Sequence, residues 1–313
     1  MAIKTTFTGM LKKRGLYLKL LKYWDLYLLI LPVVIYFVIF HYAPLYGIQI
    51  AFKRFTPAQG IAGSPWIGFQ NFTRFFNSFY FGRLLRNTIS LSLLQLLAGF
   101  PFPILLAIMI SEIRMGFFKK GMQLVFYAPR FISVVVVVSI MSVLFSYSGG
   151  IVNILMEKLG GQRVDFMTHP AYFKPIYVIS GIWQNSGWTS IIYVATISGI
   201  DSEIYEAAIV DGASRVRRIW SITLPCMIPT IVTMFILNMG HIMNIGFDKV
   251  YLMQYPMNME TSDIITTFVY RAGIIQGEYH FATAVGLFNN IINFLLLLGT
   301  NKLSKKLTDS GLW

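Results

Sequence analysis

Long apolar runs alternate with short polar segments along this 313-residue chain. Helices rise about 1.5 Å per residue, so a run of about 20 residues crosses a hydrocarbon layer of about 30 Å. Continuous apolar runs also disfavour a membrane barrel, whose strands alternate apolar and polar positions. The pattern predicts an all-α membrane protein with six transmembrane helices, at about residues 24–47, 88–110, 122–146, 175–199, 225–246 and 281–301.

The overall composition supports a membrane setting independently. Hydrophobic residues make up 56% of the chain, charged residues only 12%, and the mean hydropathy is +0.62. An ordinary soluble domain does not have this make-up. The net charge of +13 does not indicate nucleic acid, because the basic residues lie between apolar runs, as membrane topology requires.

The basic residues also predict the orientation. Residues 1–23 form a polar, basic N-terminal segment, and with this segment in the cytoplasm the inside segments hold more Lys and Arg than the outside ones. The first apolar run is longer than a signal core and lacks a small-x-small cleavage site, which favours an uncleaved span. We therefore expect both termini, including the tail 302–313, to be cytoplasmic.

Two outside segments have compositions unlike simple tethers. Residues 48–87 are dense in aromatic rings with arginines between them, a composition typical of membrane-interface contact and equally suited to docking an external protein. Residues 149–174 contain paired glycines and a proline, which predict a short helix, a turn and a return to the membrane.

One inside loop, residues 201–225, predicts two short helices with a break between them. Asp201 or Ser202 suits the N-cap of the first helix. Gly212 supplies a left-handed backbone that ends this helix. Ser214 suits the N-cap of the second helix, and Pro225 opens the next apolar run.

The same loop resembles the EAA loop of binding-protein-dependent ABC importer permeases. Glu-Ala-Ala, a glycine after three more residues, an isoleucine after nine more, and a Leu-Pro pair occur at the spacing of that motif. In that family the loop is a coupling helix held in a groove of the cytoplasmic ATPase subunit. The alternative is an ordinary amphipathic loop helix. The resemblance implies ATPase coupling for Glu206, Ala207, Ala208, Asp211, Gly212, Ile222, Leu224 and Pro225.

The resemblance extends along nearly the whole chain. HYAPLYGIQIAFKRF, SPWIGFQNF, IWQNSGWTSIIYVA and TAVGLFNNIINFLLLLGTN are similar to the polysaccharide and oligosaccharide (LplB-like) branch, which includes a membrane subunit of bacterial alginate importers. This likeness implies a MetI-like fold in a bacterial cytoplasmic membrane and import of a carbohydrate by alternating access. It also implies three partners: a second homologous permease, an ATPase dimer that binds ATP and Mg, and an extracytoplasmic solute-binding protein.

Polar side chains within the predicted spans are candidates for a substrate path, because they are costly in hydrocarbon unless they face a cavity. Amides pair with sugar hydroxyls, and aromatic faces stack on pyranose rings. The alternative is that amides join helices by hydrogen bonds. The candidates are Trp183, Gln184, Asn185, Trp188, Asn238, His241, Asn289 and Asn293.

Other functions find less support in the sequence. An ion-driven secondary transporter is the main alternative, yet the predicted spans contain one carboxylate, Asp25. An enzyme would need a reactive set such as HExxH, which is absent, and the four histidines lack metal-ligand spacing. The single cysteine, Cys226, supports no disulfide. No GxxxxGK[ST] phosphate loop occurs, so we expect no cofactor on this chain and ATP on a partner. A passive scaffold would leave the coupling motif without a role.

Overall fold

The structure is a computed structural model that describes residues 22–113 and 115–308. Most of the basic N-terminal segment, Arg114 and the last five residues of the tail lie outside the described residues. The helices are α1 (Trp24–Phe52), α2 (Gly60–Gly63), α3 (Gln70–Phe76), α4 (Phe81–Ser111), α5 (Gly116–Phe131), α6 (Val134–Leu144), α7 (Ile151–Lys158), α8 (Pro170–Ser198), α9 (Ser202–Val210), α10 (Arg215–Met239), α11 (Phe247–Leu252), α12 (Met259–Ser262), α13 (Ile265–Ile275) and α14 (Tyr279–Thr308).

The predicted all-α class is confirmed over the described residues. The extended pairing found there is one isolated antiparallel bridge between Lys53 and Trp66. Four helices, α1, α4, α10 and α14, are long and apolar enough to cross a membrane. The pair α5 and α6 makes a fifth span if the two helices count as one.

The third predicted span, 122–146, is not one straight helix. α5 and α6 meet at an angle of 99°. Pro129 lies in the last turn of α5, and Ser133 then caps α6 by accepting a hydrogen bond from the Val136 N–H at 3.4 Å. A proline followed by a new N-cap ends one helix and starts another, so the apolar run by itself did not reveal the bend.

The fourth and fifth predicted spans also differ from the observed helices. α8 runs over 29 residues but is not among the apolar candidates, since its middle carries Gln184, Asn185 and Ser186. The fifth span begins at Arg215, ten residues earlier than predicted, and ends at Met239 rather than 246. His241 and Asn244 therefore lie in the turns after α10, not within a helix.

α8 is the central helix of the bundle, in contact with α4, α5, α10 and α12. One apolar core joins α8 to α6 and α11, and includes Phe173, Tyr177, Val137 and Val250. A second core joins α14 to α3, α4 and α13.

α1 is set apart from this bundle. None of the side chains in its first section, Trp24–Phe37, is buried. Its last section, Ala43–Phe52, packs on α14, where Ala51 is fully buried. The segment after it is ordered as well, because the amide of Asn71 donates to the Ala51 carbonyl at 2.8 Å. The segment 149–174 contains the predicted short helix, α7, and turns at Gly160 (φ +84°).

Candidate functional site

The first half of the loop 201–225 is built by local hydrogen bonds. Asp201 caps α9 by accepting from the Glu203 N–H at 3.0 Å. At the end of α9, the Ala213 N–H donates a hydrogen bond to the Ala208 carbonyl at 2.9 Å. Gly212 makes this hydrogen bond possible with φ +76°, a conformation that L side chains disfavour. The predicted first helix and its glycine stop are both present.

The second half of the loop differs from the prediction. Ser214 caps α10 by accepting from the Arg217 N–H at 3.3 Å, as expected, but the helix then continues without a break. A π-helical section, Ile219–Thr223, precedes Pro225. The wider π turn accommodates a residue that has no N–H to donate. Pro225 is therefore a position inside the span α10, not the start of a new helix.

The outer face of α9 is open to solvent. None of its residues is buried; Glu206 and Ala207 are exposed and Ala208 is half-buried. Ile209 and Val210 are 54% and 87% exposed. Apolar side chains beside two alanines form a low surface that another protein is able to approach closely.

A side-chain hydrogen bond ties α9 to the span behind it. The hydroxyl of Tyr205 lies 2.9 Å from that of Thr223, and Thr223 is buried at the π turn of α10. Ile222 and Leu224, on either side, are half-buried. The hydrogen bond between Tyr205 and Thr223 joins α9 to the buried π turn of α10.

A cavity of about 410 Å³ lies between α4, α8, the end of α10 and α11. Its walls combine apolar surface from Phe100 and Tyr177 with many neutral polar groups. This mixture suits a ligand with apolar faces and several hydroxyls. The polar lining residues are Ser92, Gln95, Asn185, Ser186, Thr189, Asn238, His241, Asn244 and Lys249.

Three of the predicted pathway residues line this cavity: Asn185, Asn238 and His241. The Asn185 side chain accepts from Nη1 of Arg130 at 2.8 Å and donates to the Gly181 carbonyl at 2.9 Å. Asn238 donates to the Met234 carbonyl at 2.7 Å. Its amide oxygen therefore remains available to a ligand.

The remaining candidates lie elsewhere. Gln184 donates to the Ile132 carbonyl at 2.9 Å and so holds the bend between α5 and α6. Asn289 donates to Oδ1 of Asn244 at 2.6 Å, and Asn293 accepts from the Met243 N–H at 2.9 Å. These three side chains are buried and join elements together. Trp183 and Trp188 are half exposed on the outside of α8.

The sequence reasoning missed Lys249, a lysine in the wall of the cavity. It is 7% exposed, and its Nζ donates to the Tyr177 carbonyl at 3.1 Å. α11 lies between the spans α10 and α14, and burial lowers the pKa of Lys249 there to about 8. Because α11 has six residues, it is too short to show a periodic pattern, and Lys249 looked like one more outside charge.

A buried ion cluster was also missed. Asp263 is fully buried and pairs with Nη2 of Arg83 at 3.1 Å and with Nη2 of Arg271 at 2.8 Å. The cluster borders a second cavity of about 730 Å³, which Arg74 and Glu278 also line. The two arginines come from α4 and α13, far apart in sequence, so no local motif marks the cluster.

Comparison with known proteins decides the family. Residues 75–308 match the sequence profile of the binding-protein-dependent transport system inner membrane component. The chain belongs to this family. It is therefore a permease subunit of an ATP-driven importer, not an enzyme, and a component of the inner membrane. The resemblance to these permeases and the MetI-like fold are confirmed.

Individual relatives agree closely over nearly their whole length. The polygalacturonan/rhamnogalacturonan transport system permease protein YteP of Bacillus subtilis (strain 168) is 42% identical, over 96% of this chain and 94% of the relative. Protein LplB of the same organism is 43% identical, over 92% and 91%.

Two solved structures have the same fold. One is the crystal structure of a bacterial ABC transporter involved in the import of the acidic polysaccharide alginate, with a TM-score of 0.88, 41% identity, and coverage of 94% of this chain and 99% of that one. The other is a bacterial alginate ABC transporter in complex with an alginate pentasaccharide-bound periplasmic protein, with a TM-score of 0.88, 40% identity, and coverage of 95% and 99%.

Proposed function

We propose that this permease subunit imports an oligosaccharide or polysaccharide. The observation that carries the proposal is the cavity between α4, α8 and α10, in which amide and hydroxyl side chains such as Asn185, Asn238 and Ser92 lie beside the rings of Phe100 and Tyr177. Sugar units need this combination of hydrogen-bond partners and flat apolar surface. Polygalacturonan, rhamnogalacturonan and alginate, named for the relatives, support the same class of substrate.

The substrate path follows from the positions of the predicted residues. Asn185, Asn238 and His241 contact the sugar, since they line the cavity. Gln184, Asn289 and Asn293 hold the walls in place through their buried hydrogen bonds. Trp183 and Trp188 are half exposed at the surface of α8, away from this cavity, where their rings are able to stack on a sugar unit.

The membrane arrangement has six spans: α1, α4, the pair α5 and α6, α8, α10 and α14. α8 counts as a span despite its polar middle, because its 29 residues reach across a bilayer and its amides face other helices or the cavity. Both termini are cytoplasmic, which also places the loop 201–225 inside. The aromatic segment 48–87 is then external, at the membrane interface or against the binding protein.

Energy enters through α9. An ATPase subunit, which binds ATP and Mg, holds the outer face of α9 around Glu206, Ala207, Ala208 and Asp211, while Gly212 sets the angle of the turn. Ile222, Leu224 and Pro225 carry the movement into α10. One ATPase dimer moves this chain and a second homologous permease together. The cavity then opens outward to a binding protein that carries the sugar, and it opens inward after ATP hydrolysis. Each partner must bind the two states with different affinities to drive this cycle.

The test is co-purification of the tagged chain from its native membrane, followed by uptake in proteoliposomes. We expect an ATPase, a second permease and a binding protein to accompany the wild type, and uptake of a carbohydrate that depends on ATP. Glu206→Arg removes the ATPase, whereas the matched control Glu203→Arg, on the first turn of the same helix, retains it. Recovery of the wild type alone, with uptake driven by an ion gradient, would instead establish a secondary transporter.

A further inference from the structure

Lys249 brings a positive charge to the wall of the sugar cavity. Its Nζ makes one hydrogen bond in the structure, to the Tyr177 carbonyl, and lies 4.9 Å from the centroid of the Tyr177 ring. An ammonium group has three donors. The side chain is thus held in place on one side, with donors left for a ligand in the cavity.

No carboxylate among the described residues pairs with Lys249. The ion pairs in that part of the chain are Arg74 with Glu278, Arg83 and Arg271 with Asp263, and Arg163 with Glu157. Buried charges are normally paired, because desolvation penalises a lone ion. Asp263 follows that rule and Lys249 does not, so Lys249 is a functional-site candidate whose counter-charge comes from outside the chain.

A second unsatisfied group lies beside it. The Oε1 atom of Gln95 is buried and has no hydrogen-bond partner among the described residues. Both groups are gathered around Gly181: a Cβ built there would lie 3.1 Å from Gln95 Oε1 and 3.6 Å from Lys249 Nζ. The absence of a side chain at Gly181 lets an ammonium and an amide acceptor meet in one corner of the cavity.

We propose that Lys249 binds the carboxylate of an acidic sugar unit in this cavity and so selects uronic-acid oligosaccharides over neutral ones. Gln95 Oε1 accepts a hydrogen bond from a hydroxyl of the same unit, while Tyr177 fixes the ammonium. The ligand must combine one negative charge with several hydroxyls, since the rest of the polar lining consists mainly of neutral amides and hydroxyls. This inference rests on the carbohydrate import proposed above.

The experiment compares a galacturonic acid trimer with its methyl ester, which has the same hydroxyls but no charge. The complex purified with the tagged chain is placed in proteoliposomes. Two quantities are measured with each sugar: the stimulation of ATPase activity and the rate of uptake. Each sugar is used at a concentration that saturates the binding protein, and calorimetry on the binding protein alone establishes that concentration. We expect the wild type to prefer the acid over the ester by about tenfold or more, as for a charge-assisted hydrogen bond.

Variants of Lys249 test whether the positive charge of this side chain is responsible for the preference. Lys249→Gln is expected to lose activity on the acid more than on the ester, so that the preference for the acid disappears. Lys249→Arg is expected to retain the preference for the acid. Lys174→Gln is the matched control, since Lys174 is half-buried on α8 and donates to Ser90 Oγ at 2.6 Å, outside the cavity lining. If Lys249→Gln fails to assemble, Lys249→Arg takes its place: the preference of the wild type is expected to fall between pH 7 and about 9 and that of Lys249→Arg to stay constant, and identical pH profiles would overturn the role of Lys249.

The possible outcomes separate this inference from the proposed function. Equal use of acid and ester by the wild type, or an unchanged preference in Lys249→Gln, would overturn the role of Lys249 while carbohydrate import stands. If the assembled complex is stimulated by none of these sugars nor by neutral oligosaccharides delivered by the same binding protein, carbohydrate import itself fails.

Discussion

The hydroxyl of Tyr205 lies 2.9 Å from the hydroxyl of Thr223, which joins α9 to the π turn of the span α10. A neutral hydrogen bond of this kind contributes about 0.5–1.5 kcal/mol. It is a direct polar link between the surface proposed to hold the ATPase and a helix that borders the cavity.

We expect Tyr205→Phe to weaken coupling without preventing assembly. The loss of about 1 kcal/mol corresponds to a roughly fivefold fall in transport per ATP hydrolysed. The measurement is the ratio of uptake to ATPase activity in proteoliposomes. The control is Tyr147→Phe, at an exposed tyrosine of the segment after α6. An unchanged ratio in Tyr205→Phe would show that the contact does not transmit movement.

Gly212 provides a second test of the coupling loop. A Cβ at this position meets no neighbour within 4 Å, so any effect of substitution comes from the backbone, where φ is +76°. A β-branched residue is strained in this region by about 1–2 kcal/mol. We expect Gly212→Val to reduce ATP-driven uptake strongly and Gly212→Asn, which tolerates this conformation, to reduce it less. Equal effects of the two substitutions would contradict the backbone explanation.

Local signals account for what could be predicted from the sequence. Asp201, Gly212 and Ser214 act within a few residues of themselves, so capping and glycine rules were enough to place α9 and the start of α10. Pro225 misled the prediction, because the π turn that admits it is not visible in a proline alone.

Long-range packing accounts for what could not be predicted. The cavity corner unites Gln95, Gly181 and Lys249, which are far apart in the chain. The polar residues of the spans were recognised as a group, but hydrogen bonds formed in three dimensions separate Asn238, on the cavity, from Asn293, which supports the Met243 backbone.

That separation of roles is testable at these two asparagines. Asn293→Leu leaves the buried Met243 N–H without its acceptor, a loss of about 1–3 kcal/mol. We expect a lower thermal midpoint in detergent for this variant. Asn238→Leu, at an exposed position on the cavity, is expected to leave the midpoint nearly unchanged and to reduce sugar uptake. A lower thermal midpoint in Asn238→Leu than in Asn293→Leu would show instead that Asn238 is the residue that holds the structure together.

Asp263 joins α4 to α13 through two ion pairs. It is fully buried between Arg83 and Arg271, and its removal leaves two arginines without their counter-charge. We expect Asp263→Asn to destabilise the protein by about 3–5 kcal/mol. Arg74→Gln, which breaks the more exposed pair with Glu278, is the matched control and should cost about 1 kcal/mol or less. Thermal unfolding of the purified chain measures both, and similar midpoints would refute the distinction.

Lys249 predicts how sugar selection depends on pH. Burial lowers its pKa to about 8, and a lysine carries its charge below its pKa. The preference for the acidic trimer over its methyl ester should therefore be greatest near pH 7 and fall as the pH rises through about 8 to 9. The other titratable and charged groups on the cavity, on α11 and on the elements packed against it are Tyr172, Lys174, Tyr177, Tyr193, His241, Asp248, Tyr251, Tyr270 and Arg271.

Two variants assign this pH dependence. Lys249→Arg keeps its charge throughout the range, because a guanidinium does not lose its proton in proteins, so its preference should stay flat up to pH 9. His241→Gln removes the other basic group that lines the cavity, and its preference should fall with pH as in the wild type. A decline with pH that persists in Lys249→Arg would show that Lys249 is not the group responsible for it, and would overturn its role in the selection of charge.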